Sequence, residues 1–187
     1  MERRTEKILV FIALIAAAVG LRLYFQVIPN FAPIAAVALF AGFYFSNRWF
    51  AVLVPIGAMV ISDQFIGGYQ PFLMAVVYSF LILPAFLGGP LRKILQERGA
   101  VTTTLSLVGC SLTSSLLFFV ATNFACWLVS SWYPRSLAGL WQCYVAAIPF
   151  FRYTLMGDLF FAGVLFGGYA LFHAKTTATT LNRVSVE

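Results

Sequence analysis

The chain has 187 residues, 61% of them hydrophobic and only 10% charged, with a mean hydropathy of +0.92. A soluble domain is about half apolar and a quarter charged, and one of this size buries only about 70% of the surface its unfolded chain exposes, so a soluble globular protein and a disordered chain are both excluded. The net charge of +6 comes from twelve scattered cations that form no basic stripe, which argues against a nucleic-acid partner. The lipid bilayer is the partner this composition requires.

A helix crosses the hydrocarbon core with about 20 apolar residues. Six runs approach that length: Ile8–Val27, Phe31–Ser46, Phe50–Ile66, Phe72–Gly88, Leu105–Val129 and Val145–Phe172. They are apolar throughout rather than alternating, unlike the strands of a membrane barrel. The expected fold is all-α: a polytopic bundle of six transmembrane helices, one integral-membrane domain over residues 1–187. The first run follows Arg3, Arg4 and Lys7 and holds Ala16, Ala17 and Ala18, as a signal peptide would. Its apolar stretch continues through Leu21, Leu23, Tyr24 and Phe25, longer than a signal core requires, so a retained helix is expected. The second run is the shortest and is read as a full span in preference to a re-entrant segment. The connections Gly89–Thr104 and Ser130–Gln142 are too short for a soluble domain, and Lys175–Glu187 reads as a frayed, Thr-rich tail.

Charge placement supports six crossings. Arg3, Arg4, Lys7, Arg48, Arg92, Lys93, Arg98, Lys175 and Arg183 then all fall on one side, while the other side receives Arg135 and, near its edge, Arg22. The positive-inside rule makes both termini cytoplasmic. Cys110, Cys126 and Cys143 lack the paired spacing of a zinc site, and a disulfide between Cys126 and Cys143 is allowed but not required. The lone histidine, His173, ends the last span and reads as a snorkelling residue. No metal and no cofactor are expected.

Polar groups at membrane depth are costly and mark sites by default. Asp63, Asn123 and Arg152 fall in the outer half of the third, fifth and sixth spans, and Asp158 lies deeper in the sixth. Arg152 follows Pro149, and with a span starting near Ala146 it sits about 9 Å inside the helix. A guanidinium does not deprotonate and needs a counter-charge. Asp158 is roughly 120° round the same helix, which leaves Asp63. Arg152 is therefore expected to face the bundle interior, with Asp63 and Asn123 in reach, either as a structural lock or as a ligand site. Burial is expected to favour the neutral form of Asp158, hydrogen-bonded to Ser114, Ser115 or a carbonyl, with a proton-relay role as the alternative.

The outer turns carry Asn30, Gln64, Tyr69, Trp127 and Tyr144. Each fits an interfacial belt; together, above a buried charge, they fit recognition of a small polar molecule. Ala13 and Ala17, with Ala16 and Gly20, form a small-sided stripe on the first helix, suited to packing within the bundle or to docking on another membrane protein.

The stretches Pro29-Asn-Phe-Ala-Pro-Ile-Ala-Ala36, Leu39-Phe-Ala-Gly42, Val54-Pro55, Ile61-Ser-Asp63, Thr122-Asn-Phe124, Tyr144-Val-Ala-Ala-Ile-Pro149 and Arg152-Tyr-Thr-Leu-Met-Gly-Asp158 resemble a bacterial integral-membrane family of unknown function. More distantly, the size, six spans, Pro-flanked first outer loop and Ala-rich early helices are similar to the substrate-binding S-components of energy-coupling-factor (ECF) transporters. That resemblance implies a multi-pass protein of the bacterial cytoplasmic (inner) membrane that binds a vitamin or nutrient-like solute from outside. It also implies docking through Ala13 and Ala17 onto a transmembrane coupling subunit driven by ATPases. The chain carries no Walker motif of its own, and no Gly-x-Ser-x-Gly or His-Glu-x-x-His motif, so it is not expected to be an enzyme. The expected ligand-binding set is Asn30, Asp63, Gln64, Tyr69, Asn123, Trp127, Tyr144 and Arg152. The alternatives are a stand-alone secondary transporter and a structural or assembly protein.

Overall fold

The computed structural model describes the backbone of residues 2–184 and the side chains of residues 4–174. Arg3, Lys175 and Arg183, used above for orientation, have side chains outside the described set. Six helices follow one another: α1 Glu2–Tyr24, α2 Ile34–Tyr44, α3 Arg48–Ile66, α4 Pro71–Glu97, α5 Ala100–Val129 and α6 Leu137–Val184. All but α2 are long and apolar enough to cross a membrane, which makes this a multi-pass helical membrane protein. The helix of α6 runs through the Thr-rich stretch expected to fray, since that stretch holds neither Gly nor Pro to stop it.

Contacts near the helix ends fix the direction of the first three passes. Arg22, two residues from the end of α1, meets Asp63, three residues from the end of α3. Glu6, at the start of α1, accepts a hydrogen bond from Tyr44 Oη at the end of α2. So α1 and α3 run the same way and α2 returns between them. Eleven residues rise only about 16 Å, roughly half the hydrocarbon thickness. The remainder of that pass is the irregular segment 25–33, in which Asn30 takes a left-handed conformation (φ 60°) that an asparagine tolerates. The second run is thus a short helix plus irregular chain rather than a full helical span. Non-helical backbone survives at such depth where it is covered by protein or lines a cavity, and here it does the latter.

The short helix is the centre of the bundle: nine of its eleven residues are buried. Its closest neighbour is α4. A Cβ on Gly42 would lie 1.9 Å from the Ala85 carbonyl oxygen, and one on Gly88 would lie 2.2 Å from the Phe43 nitrogen. The two backbones therefore touch, which in lipid is how packing replaces a hydrophobic driving force. Among the small residues of α2, Gly42 serves this contact, whereas Ala36 packs against Phe161 and Ala162 of α6 and Ala35 lines a cavity. On the far side of α2, Phe40 and Phe43 pack edge-on or tilted against Phe166 and Tyr169 of α6.

The buried C-terminal end of α2 leaves carbonyls without helical partners. Arg92, from α4, takes them up: its guanidinium donates to the Gly42 carbonyl at 3.0 Å, the Phe45 carbonyl at 2.8 Å, the Phe43 carbonyl and Ser46 Oγ. A cation here also answers the negative end of the helix dipole. The sequence marks Arg92 only as a topology-setting loop charge; it is a helix cap supplied from another helix.

Candidate functional site

At the opposite end of α2 the bundle opens into a cavity of about 360 Å³. Its mouth carries Gln26, Asn30 and Tyr69, all exposed; its floor carries Ser114, Thr154 and Asp158, all buried. Between them stand apolar walls that include Phe25, Phe31, Phe80 and Phe118. The irregular segment supplies one wall and the first turn of α2 adjoins the interior, so the shortness of α2 creates the space. A smaller cavity of about 210 Å³ shares Asn30, Val77, Phe118 and Thr154 with the first and is lined also by Asn123.

The ion pair of this region differs from the expected one. Arg22 Nη1 donates to Asp63 Oδ1 at 2.6 Å and to Ser62 Oγ, and Tyr78 Oη donates to Asp63 Oδ2 at 2.7 Å. Both carboxylate oxygens of Asp63 are thus engaged, and its side chain is 3% exposed. Asp63 ties α1, α3 and α4 together behind the wall and does not line either cavity, so its expected ligand role gives way to the lock. Arg22 lines the larger cavity but spends its charge on Asp63.

Arg152 is exposed, stacked on its neighbour Tyr153 with its Cζ 4.9 Å from the ring centroid and Nη2 donating to Tyr153 Oη at 3.2 Å. It reaches neither Asp63 nor Asn123. The physical reason lies in the length of α6, which begins at Leu137 rather than near Ala146. About 20 residues counted back from His173 end at Tyr153, so Arg152 stands at the edge of the hydrocarbon, where a cation snorkels at little cost.

The other expected ligands divide. Asn30 and Tyr69 line the larger cavity and Asn123 the smaller. Burial, then the nearby Asp63 carboxylate, push the Tyr69 phenol up to about 12, so it remains a hydrogen-bond donor at neutral pH. Gln64 is exposed and bonds back to the Val60 carbonyl of its own helix. Trp127 Nε1 donates to the Pro134 carbonyl at 2.9 Å while Arg135 donates to the Trp127 carbonyl, which closes the α5–α6 turn. Tyr144 Oη donates to the Val120 carbonyl at 2.8 Å and joins α5 to α6. These three hold structure or face outward and line neither cavity. Cys110, Cys126 and Cys143 are free thiols, with Cys143 bonded to the Asn123 carbonyl at 3.5 Å.

Asp158 is where the sequence places it, deep and paired with no cation among the described residues: its Oδ2 lies 2.5 Å from Ser115 Oγ, whose single proton is shared with the Ser111 carbonyl at 2.9 Å. Its side chain belongs to a residue only 5% exposed. A small cleft bordered by Ala35, Ala36 and Ser114 connects it to the first turn of α2. That turn has neither an acidic residue nor a side-chain cap of its own, so Asp158 also faces the positive end of a helix dipole. Of the polar residues that line the cavity, Arg22, Gln26, Ser114 and Thr154 stand outside the expected ligand-binding set.

Fold and cavity define a multi-pass membrane helix bundle with a polar-floored chamber built around a short central helix. The chain belongs to a family of unknown function, DUF6580, matched over residues 2–180. No curated protein and no solved structure matches it.

Proposed function

We propose that this chain is a small-solute-binding membrane protein whose ligand enters the larger cavity past Asn30 and Tyr69. The observation that carries the reading is the cavity itself. At about 360 Å³ it falls in the size range of small-molecule pockets, and it combines mostly apolar walls with a few convergent polar groups. In its finer form the proposal is a nutrient-binding subunit of an ECF-type importer in the bacterial cytoplasmic membrane. Arg48, Arg92, Lys93 and Arg98 gather at the end of the bundle away from the cavity. By the positive-inside rule that end is cytoplasmic, so both termini are cytoplasmic and the cavity opens outward. Ala13 and Ala17 are exposed on α1, free for a coupling subunit to approach, and partner ATPases would supply the energy.

The test is mass spectrometry of small molecules released from the purified protein, wild type against Ser114→Phe, which fills the cavity floor. A solute retained by the wild type and lost from a folded Ser114→Phe protein is the expected result. An empty wild type, unchanged by the substitution, would refute the reading. Ala13→Leu with Ala17→Leu is expected to leave solute retention intact while abolishing co-purification of an ATPase module; assembly that survives both changes would sink the ECF-type form alone.

A further inference from the structure

The floor of the cavity is rich in hydrogen-bond acceptors. Ser114 Oγ donates its proton to the Cys110 carbonyl at 2.8 Å, and Thr154 Oγ1 donates to the Phe150 carbonyl at 3.5 Å. A hydroxyl has one proton and two lone pairs, so Ser114 turns acceptor capacity toward the cavity, and Thr154, whose contact with the Phe150 carbonyl is long, can accept there too. Asp158 adds a carboxyl group four residues beyond Thr154, on the same face of α6. Its Oδ2 contacts Ser115 Oγ, whose proton is shared with the Ser111 carbonyl, and no donor among the described residues meets Oδ1.

The charges that border the cavity do not balance. Arg22 is matched at 2.6 Å by Asp63, whereas Asp158 has no cationic side chain within ion-pair distance among the described residues. The N-terminus of α2 supplies about half an elementary charge at most, so the Asp158 carboxyl has no full counter-charge unless a ligand brings one. The walls nearest this floor are phenyl rings, Phe31 and Phe118 among them. Aromatic faces attract a desolvated cation by about 2 kcal/mol each at best and do nothing comparable for an anion. A bare metal ion would need six or more oxygens, more than Asp158, Ser114 and Thr154 provide, and would leave the apolar walls idle.

Resting on the ligand-binding reading of this same cavity, we infer that its ligand is a small organic monocation. A protonated amine on an aromatic or apolar body would donate to Asp158 Oδ1, Ser114 Oγ and Thr154 Oγ1 while its body packs between the phenyl walls.

The full-length protein in nanodiscs is titrated with three probes of one shape: phenethylammonium, 2-phenylethanol and phenylacetate, with binding read by calorimetry. A charge-assisted hydrogen bond separates the amine from the alcohol by about tenfold or more in Kd, and phenylacetate is expected to be weakest. Asp158→Asn is expected to bring the amine down to the level of the alcohol. Thr154→Val, which keeps the shape and removes one acceptor, is expected to weaken the amine several-fold, and it serves if Asp158→Asn does not fold. Alcohol or phenylacetate binding as tightly as the amine would overturn the cation and leave the cavity reading standing. No binding of any probe, with wild type and Ser114→Phe alike empty on extraction, would overturn both.

Discussion

The Arg22–Asp63 contact joins α1 to α3 beside the cavity wall, and its energetic weight can be worked out. At 2.6 Å and an effective dielectric constant of about 20, the attraction of two unit charges is roughly 6 kcal/mol before desolvation is subtracted. Removing one partner of a buried pair costs about 3–5 kcal/mol, because the other charge is left uncompensated. The two sides are not equivalent. Arg22→Met leaves Asp63, 3% exposed, with Tyr78 as its remaining donor, so the cost belongs near the upper end, about 4 kcal/mol. Asp63→Asn leaves a guanidinium that is 16% exposed and borders the cavity, where water reaches it, so about 3 kcal/mol is expected. The double variant has no orphaned charge and should cost little more than the worse single, which makes the coupling about 3 kcal/mol. Reversible unfolding by SDS titration in mixed micelles, applied to all four proteins, measures it. Single changes that cost little and simply add, with coupling below about 0.5 kcal/mol, would refute the lock and return Asp63 to candidacy as a ligand.

Arg92→Met strips the C-terminal end of α2 of its donors to the Gly42, Phe43 and Phe45 carbonyls. With water near the half-buried site softening the loss, about 3 kcal/mol of stability should go, and Arg92→Lys, with a single nitrogen, should recover only part of it; the same SDS titration decides. Gly88→Ala places a methyl against the backbone of Gly42 and Phe43, which cannot yield as a side chain would. A loss of about 2–3 kcal/mol is expected, and a neutral result would mean that α2 and α4 are farther apart. Arg152→Ala, by contrast, removes an exposed side chain stacked on its neighbour. Stability should change by no more than about 0.5 kcal/mol and solute retention not at all; a loss of bound solute on extraction would reinstate Arg152 as a ligand.

Much of this architecture is legible in the residues alone. Apolar runs near the length of the hydrocarbon core announce the bundle of six helices. Asp158 is legible for a similar reason: an acid deep in an apolar run must find a hydroxyl or carbonyl, and Ser114 and Ser115 lie at a comparable depth. Asn30 and Tyr69 are legible as polar residues at the turns of one end. Arg92 is hidden, because a cation in a polar connection ordinarily belongs to solvent. The signal that betrays it is on another helix: α2 ends at Phe45-Ser46 with no Gly and no cation of its own, so its carbonyls must be met from elsewhere.

The exchange of Arg152 for Arg22 has the same kind of cause. The run Val145–Phe172, 28 residues long, is about 42 Å of helix and exceeds the hydrocarbon core by some 12 Å. Depth measured from its first residue is therefore too great, and a cation at the boundary is mistaken for a buried one. Arg22 suffers the opposite error, since it stands close to a helix end and reads as an edge charge. Yet α1 and α3 point the same way through the membrane, and Arg22 and Asp63 sit two and three residues from their respective ends. Depth counted from the helix ends that must coincide, rather than from the first apolar residue of each run, brings that arginine level with its acid. The same counting leaves Asp158 without a cation at its level among the described residues, and so with a carboxyl group turned toward whatever the cavity admits.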